Sequence, residues 1–491
     1  MIENTYKNPV IFGDYADPDI IRRGSDFYMV SSSFLRVPGL PVLHSKDLIN
    51  WRLAGYALEK LPDTCKRSGG FLGGGVWAPS IRHYNGSFYI FFCNPDSGIY
   101  MTKSRYADRD WEEPQLIING RGLIDPCPLW ENGRLYIVHA YAKSRCGINS
   151  RLAVITLDEN TYEIIDEDRV IFDGTISHPI IEGPKFYKRD GWYYIFSPAG
   201  GIEHGWQTVL RAKSVYGPYE DRVVLRQGKT DINGPHQGGL VELDNGESWF
   251  LHFRKYGVYG RIIYLEPVQW LYGWPVMGEK ADSGLCGQPV YEYFKPDTGE
   301  EGIDCRLICS DGFENGLPAM QWQWCVEDGS SRCKTAEGFL RLESGGVQYL
   351  QEAALTQRLM SCDMTAEVCV EPSAGAEAGL MLFGSERYSI AATQEGIFCV
   401  AGNKEYKAAP GGRVSLRVEI RADRDKNALC RFSFRTDGEE YICLGDKFSA
   451  RDAENGEGVR VGLYCIGEEG KYADFYDFTV KDLRGEYDKK I

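Results

Sequence analysis

The sequence predicts an all-β protein: a five-bladed β-propeller over residues 1–285, a linker over 286–305, and a jelly-roll-type β-sandwich over 306–491. Three observations predict it. First, the chain carries 30 Tyr, 22 Phe and 11 Trp beside 56 Gly, pairing residues that fill pleated surfaces with residues that turn tightly between them. Second, a short strand pattern recurs five times before residue 275, and a different, alternating pattern takes over beyond residue 306. Third, 491 residues are too many for one ordinary hydrophobic core.

The repeat is a polar turn containing Gly or Asp, then two aromatic or large residues, then apolar ones. It reads SDFYMVSS (25–32), GSFYIFF (86–92), GRLYIVHA (133–140), GWYYIFS (191–197) and GESWFLHF (246–253). The equivalent positions are Tyr28, Tyr89, Tyr136, Tyr194 and Phe250, separated by 61, 47, 58 and 56 residues. A period near 50 with several short strands per copy is the mark of propeller blades. HSKDLINW (44–51), KSRYADRDW (103–111) and AKSVYGPYE (212–220) each follow a short apolar run and read as the turn leaving a blade's third strand.

Eleven to fourteen residues before each aromatic position stand ADPDI with Asp17, VWAPS with Trp77, IDPCP with Asp125, IEGPK with Glu182, and GPHQG with His236. Innermost strands of a propeller line its central channel, so five positions in one register converge on one axis. Three of the five are acids. An isolated Asp-Pro is an ordinary turn former, but copies that share a register are not independent.

Carboxylates facing a common cavity repel, which raises the proton affinity of at least one and costs stability. Two chemistries use such a set: cation binding through several oxygens, and glycoside hydrolysis with a protonated acid opposite an ionised base. None of the three acids sits in the closely spaced Asp/Asn/Gly loop of a calcium cage, so the sequence leans to the second. Trp77, Phe34 and Trp206 are candidate platforms for a sugar ring, although each is also the kind of residue that fills a core. Arg254 and Arg261 lie at the end of the fifth repeat.

The remaining signals mostly exclude. A formal net charge of −15 disfavours nucleic acid and anionic membrane as partners. No stretch approaches 18 consecutive apolar residues, and MIENTYKNPVIFGDY lacks a basic region followed by an apolar run. The 15 cysteines are scattered and read as reduced thiols, so the expected location is the cytoplasm. GGFLGGG (69–75) is followed by no Lys-Ser/Thr and reads as a flexible approach to the second blade, not a phosphate loop. No G-x-S-x-G elbow occurs, and Cys305 and Cys309 lack the second pair a zinc site needs.

Taken together, the motifs resemble glycoside hydrolase family 43. The likeness runs from NPVIFGDYADPDIIR (8–22) through GGVWAPSIR (74–82), GLIDPCPLW (122–130) and IEGPKFYKRDGWYYIFSPAGG (181–201). It continues through WQTVLRAK (206–213), INGPHQGGLVE (232–242) and YGRIIYLEPVQWLYGWPV (259–276). The nearest pattern is that of its β-xylosidase and α-L-arabinofuranosidase branch. The resemblance implies that Asp17 is the general base activating water, that Asp125 orients its neighbour and raises its proton affinity, and that Glu182 is the general acid. It implies inversion, with Asp17 and Glu182 about 6.5–9.5 Å apart. His236 resembles a channel histidine near a calcium ion held largely through water, and Arg261 resembles an arginine that binds sugar hydroxyls. No cofactor is required by this chemistry. One departure stands out: where relatives carry an amide and an acid after WFLHF, this chain has Arg254 and Lys255, two cations that could alter the pocket.

Beyond WPV (274–276) the repeat stops. Alternating runs follow at FLRLES (339–344), TAEVCVEP (365–372), AGLMLFG (378–384), SLRVEIRA (415–422), RFSFRT (431–436), VRVGLYC (459–465) and ADFYDFTVKDL (473–483). Period-two alternation between turns fits an antiparallel sandwich. No catalytic constellation lies in it, and its expected role is structural.

The expected activity is that of an inverting exo-β-D-xylosidase acting on small xylo-oligosaccharides, with α-L-arabinofuranosidase or arabinan-directed activity as the alternative. A non-catalytic carbohydrate-binding propeller and a phosphorylase using Arg254 and Lys255 are the readings of other kinds. Self-association is left open.

Overall fold

A computed structural model describes residues 4–62, 74–281, 284–300, 307, 309–314, 318–325, 329–336, 338–344, 353–408, 411–423, 425–436, 438–452 and 456–484. The glycine-rich stretch up to residue 73, and Cys305, lie outside the described residues.

Five four-stranded antiparallel units follow one another along the chain. Their innermost strands are Asp19–Arg23, Trp77–Tyr84, Leu123–Glu131, Lys185–Arg189 and His236–Glu242. Each packs against the next blade, and the fifth returns to the first, which closes the ring. The second strands are Asp26–Val30, Ser87–Asn94, Arg134–Tyr141, Trp192–Ala199 and Ser248–Lys255. In every one the repeat's aromatic position is the third residue. Inward-facing side chains of neighbouring blades form the cores between them, as with Phe91, Leu135 and Ile155 between blades two and three, or Phe196, Phe250 and Trp274 between blades four and five.

The N-terminal segment completes the ring. Ile11 bridges to Ile263 of blade five, and Asn8 Nδ2 donates to Leu265 and Val290 carbonyls. Thr5–Lys7 pairs with Glu292–Phe294, and Gly287–Gln288 joins the edge of blade four beside Leu225. The first part of the predicted linker is therefore bound into the propeller, because its backbone groups find strand edges to pair with.

The C-terminal region is two packed antiparallel sheets. The larger sheet runs in the order Cys333–Ala336, Phe339–Glu343, Tyr472–Asp482, Met364–Pro372, Val414–Ala422, Ala428–Arg435, Ile442–Cys443. The smaller runs Ala354–Arg358, Arg460–Ile466, Glu377–Phe383, Arg387–Ala392, Ile397–Ala401, Lys404–Ala408. Alternation decides the faces: in Val414–Ala422, Val414, Leu416, Val418 and Ile420 are buried while the residues between them are half-exposed.

Sandwich and propeller share a polar, buried seam. Arg36–Val37 pairs with Trp324–Cys325. Arg36 donates to both oxygens of Glu457, at 2.8 and 3.1 Å. Asp14 accepts the backbone N–H of Arg261 at 2.8 Å and of Gly458 at 2.7 Å, and its carbonyl accepts Arg358 Nε. One hydrophobic cluster runs from Val30, Val42 and Phe92 of the propeller to Leu380, Val418 and Phe475 of the sandwich.

Candidate active site

All five upstream motifs lie at the same end of the innermost strands, and the backbone there repeats a local feature. Asp17, Ala78, Asp125, Gly183 and Gln237 all have positive φ, at 52°, 35°, 58°, 60° and 31°. Four of these stand eleven residues before the repeat's aromatic, and the fifth thirteen. Register shifts in the ladder accompany three of them, between Trp77 and Ser80, Ile124 and Cys127, and His236 and Gly238. A left-handed residue with a bulge breaks the pairing and aims side chains at the channel. Non-glycine residues held there cost about 1–2 kcal/mol each, the kind of strain that concentrates at working sites. Asp17 and Asp125 occupy the left-handed position itself, whereas Trp77, Glu182 and His236 precede it by one.

Asp17 is 7% exposed and addressed by two donors. Ser32 Oγ donates to its Oδ2 at 2.5 Å and Arg261 Nη1 to its Oδ1 at 2.7 Å. Ser32 Oγ in turn accepts the Ala78 N–H at 2.7 Å, which ties blade one to blade two. This is the pairing an ionised carboxylate makes. The Arg261 guanidinium lies over Phe34, 5.6 Å from the ring centre, and over Phe253 at 5.3 Å.

Asp125 is the deeply buried acid. Its Oδ2 accepts the Gly183 N–H at 2.7 Å. Burial, then the charges of Glu182 and Asp17, push its carboxyl up to about 8, against the pull of the Gly183 N–H and of Lys185. Its response to both other acids brings the three carboxyls into one electrostatic unit. The like-charge repulsion that a shared cavity predicts for at least one of the acids acts on Asp125, the most buried of the three. Glu182 is the open member, with a 28% exposed side chain whose Oε1 lies 3.3 Å from His236 Nε2.

His236 is 1% exposed, and neither ring nitrogen has an aligned hydrogen-bond partner. Among the described residues no three His, Cys, Asp or Glu side chains converge to hold a metal ion. A calcium ion, which needs six or more oxygens, does not fit here as a directly coordinated ion.

Trp77 and Trp206 stand half-buried at the same end of the ring. Trp77 Nε1 donates to the Gly74 carbonyl at 3.1 Å, and Trp206 Nε1 to His178 Nδ1 at 3.4 Å. Arg254 and Lys255 do not enter the pocket as free cations. Arg254 donates to Asn233 Oδ1, the Asp231 carbonyl and Tyr264 Oη, and Lys255 to Asp452 and the Gly456 carbonyl. A phosphorylase reading loses its motive, because both charges are committed to protein acceptors.

Sequence reasoning missed Lys185 and Ser32. Side chains two residues further along each innermost strand face the same channel, and that second ring is Asp19, Ser80, Cys127, Lys185 and Gly239. Lys185 Nζ, fully buried, donates to the Pro79 carbonyl at 3.1 Å and Ser80 Oγ at 3.0 Å, and it is the cation felt by Asp125. Gly239 leaves room for Asp19, since a Cβ there would sit 2.7 Å from Asp19 Oδ1. The repeat register held the signal for Lys185. Ser32 had none, because its role depends on a contact between blades.

Comparison with known proteins identifies families for both parts of the chain. The family description "Glycosyl hydrolases family 43" matches residues 6–275, and "Beta xylosidase C-terminal Concanavalin A-like domain" matches residues 310–481. A Xylanibacter ruminicola protein with a provisional β-xylosidase name is 34% identical over 467 residues, 94% of this chain and 86% of its own length. A non-reducing end α-L-arabinofuranosidase of Bacteroides ovatus is 33% identical, covering 99% of this chain and 96% of its own. The crystal structure of a point mutant of the GH43 protein BlXynB from Bacillus licheniformis superposes with a TM-score of 0.83 at 27% identity, over 97% of this chain and 99% of that one.

Proposed function

The chain belongs to glycoside hydrolase family 43, and we propose that it is an inverting exo-β-D-xylosidase that trims xylose from the non-reducing ends of small xylo-oligosaccharides. The observation that carries the mechanism is the three-acid unit at the channel mouth, with its unequal burial. Asp17, held by Ser32 and Arg261, is the base that takes a proton from water. Burial and the neighbouring acids push the Asp125 carboxyl up, which keeps a proton within the acid set. Glu182 is the member open to the pocket and passes that proton to the leaving oxygen. Asp125 is a positioning group, fixed by the Gly183 N–H. Phe34, Trp77 and Trp206 offer faces to the sugar, and Arg261 donates to it beside Asp17.

A second reading, α-L-arabinofuranosidase, is favoured by one observation: relatives named for either sugar match 94% and 99% of the chain at nearly equal identity. A panel of nitrophenyl glycosides separates the two. Turnover of the β-xyloside above the α-L-arabinofuranoside is expected; the reverse order exchanges the readings. Family membership leaves the non-catalytic reading without support.

The site of action in this reading is the cytoplasm. Thirteen described cysteines are all free thiols, as a reducing compartment keeps them. Among the described residues no helix is long and apolar enough to cross a membrane.

A further inference from the structure

Lys255 and Arg261 face each other across the hairpin of blade five, joined by the turn Gly257–Tyr259. The sandwich reaches this hairpin with Asp452 and the stretch from Gly456 to Val459. Lys255 Nζ, on a side chain only 5% exposed, donates to Asp452 Oδ2 at 2.6 Å and to the Gly456 carbonyl at 2.9 Å. Gly456 has φ of 78°, and a Cβ on it would lie 3.5 Å from Arg261 Nη2, 3.5 Å from Ile202 Cδ1 and 3.8 Å from Lys255 Nζ. Two residues on, Gly458 donates to Asp14, whose other oxygen accepts the Arg261 N–H, and Val459 N–H donates to the Val258 carbonyl. The sandwich backbone thus runs close enough to the guanidinium that holds Asp17 for a single added carbon at Gly456 to meet it.

From this we infer that Lys255 is a positioning residue: it clamps the sandwich stretch at Gly456 against Arg261, so that the pocket wall beside the base is set by the second domain. The inference rests on the hydrolase reading above and concerns the same site. A buried ammonium with two anchored acceptors fixes the stretch in place, whereas a neutral side chain leaves Asp452 and the Gly456 carbonyl to water. Loosening that wall weakens the hold on the sugar while Asp17 keeps both of its donors. The expected signature is therefore in KM more than in kcat.

The test uses the full-length protein and the nitrophenyl glycoside it turns over best. Lys255→Met and Asp452→Asn are each expected to raise KM about tenfold with kcat within about threefold. Lys255→Arg, which keeps the charge, recovers most of the loss. The double variant is expected to be no worse than Lys255→Met alone, which already loses both contacts. Thermal melts run alongside. A lowered melting temperature with KM unchanged in both single variants would show a purely structural pair and overturn the clamp, as would additive losses in the double variant. If Lys255→Met does not fold, Asp452→Asn decides alone. A wild-type protein that hydrolyses no glycoside defeats the hydrolase reading and the clamp with it, whereas an active wild type with indifferent variants defeats only the clamp.

Discussion

Asp17, Asp125 and Glu182 are chemically similar acids placed in three environments, and the environments assign the work. Asp17 faces two donors, Asp125 is buried among charges, and Glu182 is half-open. If Asp17 is the base and Glu182 the acid, their amides differ in a readable way. Asp17→Asn lowers kcat about 10²–10⁴-fold whatever the leaving group. Glu182→Gln loses as much on xylobiose but much less on a dinitrophenyl xyloside, whose leaving group needs no proton. Equal losses for Glu182→Gln on both substrates would contradict its role. Lys185 supplies a second check. As a cation it favours the ionised form of Asp125, so replacing it by Met makes the Asp125 proton leave at higher pH. The alkaline limb of the kcat/KM profile should move up by about one unit, and Lys185→Arg should restore it. A limb that stays, or moves down, would separate Lys185 from the acids. The three acids could be read in the sequence because each follows the repeat's spacing. Ser32 and Asp14 could not, because their partners, Ala78 and Gly458, lie in another blade and another domain.

At the scale of the strand, the bulged, left-handed start of each innermost strand explains a detail the sequence presented without reason. The offsets from motif to aromatic alternate between 11 and 12 in the first four repeats. They do so because blades one and three put an acid in the left-handed position, whereas blades two and four put Ala78 and Gly183 there with the half-buried Trp77 and Glu182 just before. Gly183 is the sharpest case. A Cβ on it would lie 2.8 Å from Gln237 Cδ, its φ is 60°, and its N–H is the donor to Asp125. Gly183→Ala is expected to destabilise the fold by roughly 1–2 kcal/mol and to cut kcat, read from denaturant melts and steady-state rates. Unchanged stability would mean that the turn relaxes freely. The second strands were legible throughout, since an aromatic pair after a polar turn has few other readings. The outer strand Ile164–Asp173 was not, because nearly every residue in it is exposed and no alternation marks a buried face. The hairpin formed by Arg387–Ala392 and Ile397–Ala401 escaped too, because Tyr388 to Ala392 is buried on both faces. Thr5–Lys7 and Glu292–Phe294 pair across nearly three hundred residues, which local pattern cannot reveal.

Across the whole molecule, the two domains are joined by buried charge as well as by apolar packing. Arg36 and Glu457, 3% and 8% exposed at the side chain, form a two-pronged pair at the seam. Removing one partner strands the other in a place without water, so Arg36→Met should cost about 3–5 kcal/mol. Replacing both, as in Arg36→Met with Glu457→Leu, should recover most of that loss in the same denaturant titration. No recovery would mean that the seam depends on each charge separately. The domain order and the sandwich were legible from the change of period near residue 306, yet the seam itself was not, because its partners stand more than 400 positions apart. In the mechanism proposed above, a water stands between Asp17 and the sugar while Glu182 faces the departing oxygen. The most direct test follows the anomeric form of the xylose released from a β-linked xylo-oligosaccharide, by proton NMR, before mutarotation sets in. α-Xylose as the first product is the predicted result; β-xylose first would mean retention, and would contradict the assignment of Asp17 as a base acting through water.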